Sequence, residues 1–129
     1  MWILDTNALI ECHKRKDESL FKRDQSGTTI FSMIEFPIAN KHEGLTILYP
    51  ALEVYADSFE LAVKLRDAGT PIPTIDILIG AMIARLGMPI VTGDSHFETL
   101  RQLDPRINIV TVDEYIKSIL ELGQESRNE

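Results

Sequence analysis

The stretch Trp2-Ile3-Leu4-Asp5-Thr6-Asn7-Ala8-Leu9-Ile10 decides how the rest of the chain is interpreted. Its three leading apolar residues predict a short buried strand, and the acid and two short polar residues behind them are typical of a helix start. A carboxylate, Asp5, therefore follows directly on a core strand. In open α/β sheets ligands bind at this edge, because the loops and helix N-termini converge there. Asp5 is accordingly the first candidate for a functional residue.

The length and composition predict one ordinary globular domain. The chain has 129 residues, of which 44% are hydrophobic and 26% charged, and it contains no repeat. This length supports a single core and is too short for two domains. We expect residues 1–122 to form that domain, and residues 123–129, which have nothing to bury, to form a flexible C-terminal tail.

The chain carries no pattern of a targeting or membrane segment. The first apolar run is broken by Asp5 and Glu11, unlike a signal peptide. No stretch approaches the ~20 apolar residues of a membrane span. The single cysteine, Cys12, excludes an intrachain disulfide, fits a reducing compartment and is expected to fill space on a helix face. We therefore expect a cytoplasmic protein.

The formal net charge is -7, which counts against simple electrostatic binding of nucleic acid. A nucleic-acid partner would need positive charge from a local patch, from bound cations or from both. The basic residues at 14–16, with Lys22 and Arg23, form the one such cluster we single out. From the sequence we favour a solvated surface for that cluster.

Short apolar runs alternate with segments of helical spacing along the whole chain. The predicted strands cover about 2–4, 28–31, 46–49, 90–92 and 107–110, and the predicted helices about 6–14, 33–41, 51–68, 74–86, 95–103 and 112–122, with a short helix within 14–26. Apolar core strands separated by helices predict an α/β fold with a parallel sheet covered on both faces. Right-handed crossovers then bring all strand C-termini to one edge.

Three further acids follow predicted core strands or open predicted helices. Glu35 ends Ser32-Met33-Ile34-Glu35, a capping box in which Ser32 would cap the helix and Glu35 would reach back to it. Asp76 lies in the first turn of an apolar helix, where an acid interacts well with the helix dipole. Asp94 precedes a helix that either it or Ser95 could cap. Each acid has a structural explanation when it is taken alone.

Taken together, Asp5, Glu35, Asp76 and Asp94 can all meet at one edge of the sheet. Four carboxylates repel each other, and because these junctions hold no lysine or arginine, the expected neutraliser is a cation. All-oxygen ligation selects a hard ion, Mg²⁺ or Mn²⁺, over zinc. We expect His96, the nearby imidazole, to be a surface residue and do not place it on the metal. Such sites are typical of phosphodiester hydrolysis, and a metal-filled centre would bind phosphate despite the acidic chain.

Four motifs stand in a specific order along nearly the whole chain. They are Asp5-Thr6-Asn7-Ala8-Leu9-Ile10, Ser32-Met33-Ile34-Glu35, Asp76-Ile77-Leu78-Ile79-Gly80-Ala81-Met82-Ile83-Ala84 and Thr92-Gly93-Asp94-Ser95-His96-Phe97. Together they resemble the motifs of PIN-domain proteins, and more closely those of the VapC-type toxins of bacterial and archaeal toxin–antitoxin pairs. Some members of that family carry a further acid shortly after the fourth one, where this chain has Ser95 and His96.

The resemblance implies a three-layer α/β/α fold with a five-stranded parallel sheet of order 3-2-1-4-5. It also implies a Mg²⁺- or Mn²⁺-dependent endoribonuclease that cuts RNA, forms a homodimer and is inhibited by a small antitoxin protein whose tail enters the active site. By motif position, the metal ligands and catalytic residues would be Asp5, Glu35, Asp76 and Asp94. The residues that would orient them or contact the metal-bound water are Thr6, Asn7 and Thr92.

Other functions stay open at this point. A receiver-like, Mg²⁺-binding signalling domain matches in length and acidity, but it expects a second acid beside Asp5, where Thr6 stands, and a lysine after the fifth strand, where none stands. A phosphatase of the haloacid dehalogenase type needs an acid at the position of Asn7. A PIN-like scaffold that binds RNA or protein without cutting is a further alternative, against which the presence of all four acids argues.

Overall fold

A computed structural model describes residues 1–128, whose strands form one five-stranded sheet in which all pairings are parallel. The strands are β1 (Trp2–Leu4), β2 (Ser26–Thr29), β3 (Thr46–Leu48), β4 (Ile90–Val91) and β5 (Ile109–Val110), and the helices are α1 (Thr6–Lys14), α2 (Ile30–Glu35), α3 (Glu53–Asp67), α4 (Thr74–Leu86), α5 (His96–Leu103) and α6 (Val112–Asn128). Two 3-10 turns cover Glu18–Leu20 and Pro37–Lys41.

Strands β1 and β4 each contribute side chains to two hydrophobic cores, because successive side chains of a strand point to opposite faces of the sheet. Ile3 of β1 and Ile90 of β4 pack with residues of α3, α4 and α5. Leu4 and Val91, the next residue of each strand, pack with residues of α1, α2 and α6. All four side chains are completely buried, and Cys12 fills part of the second core as expected. The predicted three-layer α/β/α architecture is confirmed.

The strand order of the sheet is β3-β2-β1-β4-β5, as the family resemblance implied. Strand β1 lies at the centre, with β2 on one side and β4 on the other. This order differs from the 2-1-3-4-5 order of flavodoxin-like folds, the class to which receiver domains belong. The topology therefore does not fit the receiver-like alternative.

The segment around α2 differs from the prediction. Strand β2 covers Ser26–Thr29 instead of about 28–31, and α2 begins at Ile30. Thr29 is the N-cap, since its hydroxyl oxygen accepts the Ser32 N–H at 3.2 Å. The predicted capping box is therefore wrong, because Ser32 lies inside the helix and Glu35 is its last residue. Pairing with β1 places the end of the strand, and the next hydroxyl residue then starts the helix.

Three other elements differ in length from the predictions. The helix expected over about 33–41 stops at Glu35, because Pro37 has no N–H to continue it, and a 3-10 turn follows. The short helix expected within 14–26 is only the turn Glu18–Leu20. Helix α6 continues through most of the expected tail to Asn128, while Glu129 lies outside the described residues. No helix in residues 1–128 combines the length and apolar character needed to cross a membrane. The single domain over 1–122 stays a prediction.

Tyr115 anchors α6 to the start of β2, and its removal tests the packing of that layer. The fully buried Tyr115 hydroxyl donates to the Leu20 carbonyl at 2.5 Å and lies 2.5 Å from the Ser26 hydroxyl. Tyr115→Phe leaves these buried partners short of a hydrogen bond, so we expect a loss of about 1–3 kcal/mol in the free energy of unfolding. Urea denaturation measures it, with Trp2, whose ring lies edge-on to Tyr115, as the fluorophore. The control Tyr55→Phe, at a half-exposed residue, should be neutral.

Candidate active site

Asp5 lies at the β1–α1 junction and caps the helix at the carboxyl edge of the sheet. The Ala8 N–H donates to its Oδ1 at 2.9 Å, and the Thr92 hydroxyl donates to its Oδ2. Burial raises the pKa of Asp5 to about 6, the two hydrogen bonds oppose that rise, and the carboxylates of Asp94 and Asp76 add to it. The ionised form of Asp5 is thus unfavourable in the folded chain, and a nearby positive charge would stabilise it.

Glu35 approaches the same edge from the last turn of α2. Its Oε1 accepts a hydrogen bond from the Thr6 hydroxyl at 2.9 Å, and the Thr6 oxygen also lies 3.1 Å from the Ser32 hydroxyl. Thr6 is the first residue of α1, so this contact joins the start of α1 to the end of α2. The Glu35 carboxylate caps no helix, so helix capping does not explain why it lies at this edge of the sheet.

Asp76, Asp94 and His96 form the tightest group at this edge. His96 Nδ1 lies 2.7 Å from Asp76 Oδ2 and 3.2 Å from Asp94 Oδ1. One potential ligand atom from each of the three lies within 4.8 Å of the others. Burial raises the pKa of Asp76, the His96 hydrogen bond opposes the rise, and the charges of Asp94 and Glu35 add to it. The contact between His96 and both acids was not expected from the sequence.

Thr92 connects the first acid with the fourth. Its side chain, which is 3% exposed, donates to Asp5 and accepts the Asp94 N–H at 2.9 Å. Asp94 Oδ1 in turn accepts the His96 N–H at 2.9 Å, which shapes the turn between β4 and α5. These bonds hold both carboxylates in fixed positions, and the predicted orienting role of Thr92 rests on them.

One open pocket of about 290 Å³ brings the predicted residues together. Its lining consists of Asp5, Thr6, Asn7, Glu35, Pro73, Ile75, Asp76, Ile79, Asp94 and His96. All four predicted acids are among them, and Thr92 lies behind Asp5 and Asp94. The catalytic and metal-binding roles of these residues stay predictions, while their predicted convergence on one sheet edge is present in the fold.

The donor set of this pocket fits a divalent cation. Its lining offers four carboxylates and no lysine or arginine. Burial, and to a smaller extent the acidic neighbours, raise the pKa values of Asp5 and Asp76, so holding these charges together costs free energy that a bound cation would offset. Carboxylate oxygens suit hard ions such as Mg²⁺ and Mn²⁺, and His96 adds a single nitrogen to the set.

Comparison with solved structures identifies chains of the same fold. A VapBC complex with DNA from Salmonella typhimurium matches with a TM-score of 0.69 and 18% identity over 86% of this chain and 97% of the other. VapBC-1 from nontypeable Haemophilus influenzae matches with a TM-score of 0.67 and 18% identity over 87% of this chain and 98% of the other. VapBC2 from Rickettsia felis, bound to a DNA fragment from its promoter, matches with a TM-score of 0.66 and 16% identity over 85% of this chain and 97% of the other. This chain has the PIN fold of VapC-type proteins. No family model and no curated protein matches the sequence.

The sequence contained one signal that His96 lies at the site. Its position, just after the fourth acid, is where some members of the family that the sequence resembles carry a further acid. This departure was the signal that the position faces the site. The distance between His96 and Asp76 depends on how α4 packs against α5, and the local sequence does not contain that information.

Proposed function

We propose that the protein is a metal-dependent endoribonuclease, which hydrolyses RNA phosphodiester bonds and acts as the toxin of a toxin–antitoxin pair. The observation that carries this proposal is the convergence of Asp5, Glu35, Asp76 and Asp94 on one pocket at the carboxyl edge of a PIN-fold sheet. The fold shared with chains of VapBC complexes supports the toxin assignment.

The chemistry of the site follows from how the chain holds its carboxylates. When bound, Mg²⁺ or Mn²⁺ would supply an activated water and would stabilise the negative charge that builds up on the phosphate. Asp5, Glu35, Asp76 and Asp94 would hold the cation. Thr92 fixes the carboxylate of Asp5 and the backbone of Asp94, and Thr6 fixes that of Glu35. Preset carboxylates need little rearrangement during the reaction, which is the main contribution that a protein makes at such a site.

His96 has a supporting role in this proposal. Its Nδ1 lies within hydrogen-bond distance of both Asp76 Oδ2 and Asp94 Oδ1, so it links these acids and sets the distance between them. Asn7 lines the pocket beside Thr6 and offers an amide to a bound phosphate or its water shell. We propose that both residues orient the substrate or the ligands.

The toxin assignment implies protein partners, and two exposed apolar surfaces support them. One face of α3 carries Tyr55, Phe59 and Val63 at helical spacing, with Leu52 just before the helix, and these residues are between 43% and 82% exposed. The α2 region exposes Ile34 and Ile38. Exposed apolar groups of this size mark interaction sites. We propose that these surfaces bind a small antitoxin protein and a second copy of the chain in the cytoplasm.

The test of the nuclease is cleavage of a mixed RNA pool by the purified protein with Mg²⁺, with Mn²⁺ and with EDTA. We expect cutting with either ion, none with EDTA, and none for Asp94→Asn under any condition. Asp67→Asn, which changes an exposed acid at the end of α3, is the matched control and should cut like the wild type. Cutting by Asp94→Asn at the wild-type rate would contradict the proposed site. No cutting by the wild type with either ion would favour the non-catalytic scaffold.

Glu35→Gln separates a ligand role from a structural one. The amide can still accept the Thr6 hydroxyl and no helix cap is lost, so we expect the free energy of unfolding to change by less than about 0.5 kcal/mol. A glutamine is a poor ligand for a hard cation, so metal-dependent cleavage should fall by about tenfold or more. Thermal melting and the RNA assay measure the two effects. A loss of stability with normal cleavage would contradict the ligand role, and Glu121→Gln, at an exposed acid in the middle of α6, is the control.

A further inference from the structure

A second cluster of titratable side chains lies at the other end of α1 from the carboxylates. It lines an open pocket of about 390 Å³, formed by His13, Lys14, Lys16, Glu18, Lys41 and His42. Asp5 caps the start of α1 and Lys14 ends it, so the two pockets lie about 13 Å apart along the helix at 1.5 Å per residue. The second pocket plays no part in the carboxylate chemistry.

Two histidines of this pocket are joined in a hydrogen-bonded chain. Glu18 Oε1 lies 2.6 Å from His42 Nδ1, and His42 Nε2 lies 2.9 Å from His13 Nδ1. Only one proton fits between the two rings. A carboxylate only accepts, so His42 Nδ1 donates to Glu18, and the proton between the rings belongs either to His42 Nε2 or to His13 Nδ1. His42 is buried and stacks on Phe21 at 4.0 Å, so the chain is held in place.

The Nε2 of His13 is the free end of this chain. Within residues 1–128 it has no hydrogen bond to the protein, and His13 is only partly buried where it lines the pocket. This nitrogen is therefore open to a bound molecule, and it offers an N–H donor in the tautomer that carries the proton on Nε2. That N–H suits an oxygen acceptor.

The pocket also concentrates lysines. Three of the six lysines in the chain line it, and within the described residues none of the three forms an ion pair, whereas Arg15, Arg85, Arg101 and Arg106 all do. The one acid of the pocket is already bonded to His42. The pocket is therefore locally positive in a chain of net charge -7.

The attraction of basic residues to a helix C-terminus accounts for Lys14 alone. Lys41 comes from another segment and lies close enough to His13 that, after burial, its charge is the largest cause lowering the pKa of that histidine. Lys16 has a φ of 54°, a left-handed conformation that favours glycine. A lysine is thus placed where the backbone favours a residue without a side chain.

We infer that this pocket binds a phosphate group of the RNA backbone, a few nucleotides away from the bond that is cut. The inference rests on the proposed nuclease function. The three lysine ammonium groups supply donors and positive charge for the oxygens of a phosphate, and lysines that neutralise phosphates supply most of the affinity for a nucleic-acid strand. The pocket gives an acidic protein a local site for a polyanion and would hold the strand while its scissile phosphate meets the carboxylates.

The first test compares two triple variants that each remove three positive charges. Lys14, Lys16 and Lys41 are changed to Gln in one, and Lys64, Arg66 and Lys117, which lie outside the pocket, in the other. Both are made in the Asp94→Asn protein, so that RNA is bound without being cut. We expect the pocket variant to lose affinity for labelled single-stranded RNA by about tenfold or more. The slope of the logarithm of its affinity against the logarithm of salt concentration should also become shallower by about 0.7 per lost phosphate contact. Equal losses in both variants would overturn the site.

The second test needs neither RNA nor cleavage. Pyrophosphate is titrated into the wild-type protein while NMR follows the imidazole signals of His13 and His42. We expect both to shift in the wild type and in the control triple variant, and neither to shift in the pocket variant. No shift in the wild type overturns the site whatever the nuclease assay gives. A larger response to polyglutamate than to pyrophosphate overturns it in favour of an acidic protein partner.

The two tests together separate the pocket from the nuclease. A pyrophosphate shift with unchanged RNA affinity in the pocket variant would assign the pocket to free phosphate compounds and overturn the contact with the strand. A pyrophosphate shift and a specific loss of RNA affinity, in a protein that cuts no RNA, would support the pocket and contradict the proposed nuclease activity.

Discussion

Asp5→Asn should abolish metal-dependent RNA cleavage and at the same time stabilise the metal-free fold. The loss of activity follows from removing one of the four proposed metal ligands that line the pocket, and we expect it to reach about 100-fold or more, the scale seen when one group that stabilises transition-state charge is removed. The gain in stability follows from burial, because the pKa of Asp5 is raised to about 6, so keeping its carboxylate ionised and buried at neutral pH costs folding free energy. The shift corresponds to about 1–3 kcal/mol.

The two effects of Asp5→Asn can be measured on one sample. Urea denaturation in EDTA gives the free energy of unfolding, and the RNA assay with Mg²⁺ or Mn²⁺ gives the activity. Asparagine is a good N-cap and keeps an acceptor for the Ala8 N–H, so loss of the cap does not confuse the result. Asp67→Asn serves as the control. A variant as active as the wild type would remove Asp5 from the site, and a less stable one would show that its ionised form stabilises the fold.

Opposite effects on stability and activity are expected of a residue retained for function. A buried acid among other acids weakens the fold unless a cation neutralises it. Asp76 has the same environment in milder form, since burial and the charges of Asp94 and Glu35 raise its pKa while His96 opposes them. The added cation should therefore stabilise the wild type more than Asp5→Asn, because ligands that bind only the native state raise its stability.

The β1–α1 junction shows why much of the fold could be predicted from the sequence. The apolar run 2–4 followed by Asp5 fixes both a buried strand and the start of a helix, and the structure has β1 at Trp2–Leu4 and α1 from Thr6. The carboxyl ends of parallel strands lie at one edge, so Asp5 and Asp94, which follow β1 and β4, were expected to converge. The strand order came from the family resemblance and not from the local pattern, which does not encode the order.

The start of α2 shows where the local pattern is insufficient. Thr29 and Ser32 are both hydroxyl residues that can cap a helix, and Ser32 has a glutamate three residues behind it, which favoured the wrong one. Pairing between β1 and β2 extends the strand to Thr29 and thereby makes Thr29, and not Ser32, the N-cap of α2. Such pairing joins residues far apart in the sequence. The same holds for His96, whose partner Asp76 is twenty residues away.

Gly44→Ala should produce the largest loss of stability among single-methyl changes at the glycines of this chain. A Cβ at Gly44 would lie 1.9 Å from the carbonyl oxygen of Phe21 and 2.8 Å from its carbonyl carbon, so backbone and not a flexible side chain would have to move. Phe21 is buried and stacks on His42, which resists that movement. We expect a loss near the upper end of the about 1–3 kcal/mol typical of overpacking.

Gly123→Ala is the matched control for Gly44→Ala, because it adds the same methyl group where nothing lies within 4 Å. Gly123 belongs to α6, where alanine is the better helix former, so this change should raise the free energy of unfolding by up to about 1 kcal/mol. A lower free energy of unfolding for Gly44→Ala and a higher one for Gly123→Ala, both measured by urea denaturation, would support the close approach of the Gly44 loop to Phe21. An unchanged free energy of unfolding for Gly44→Ala would contradict it. Since Phe21 holds His42, Gly44→Ala should also weaken pyrophosphate binding at the second pocket, and Gly123→Ala should not.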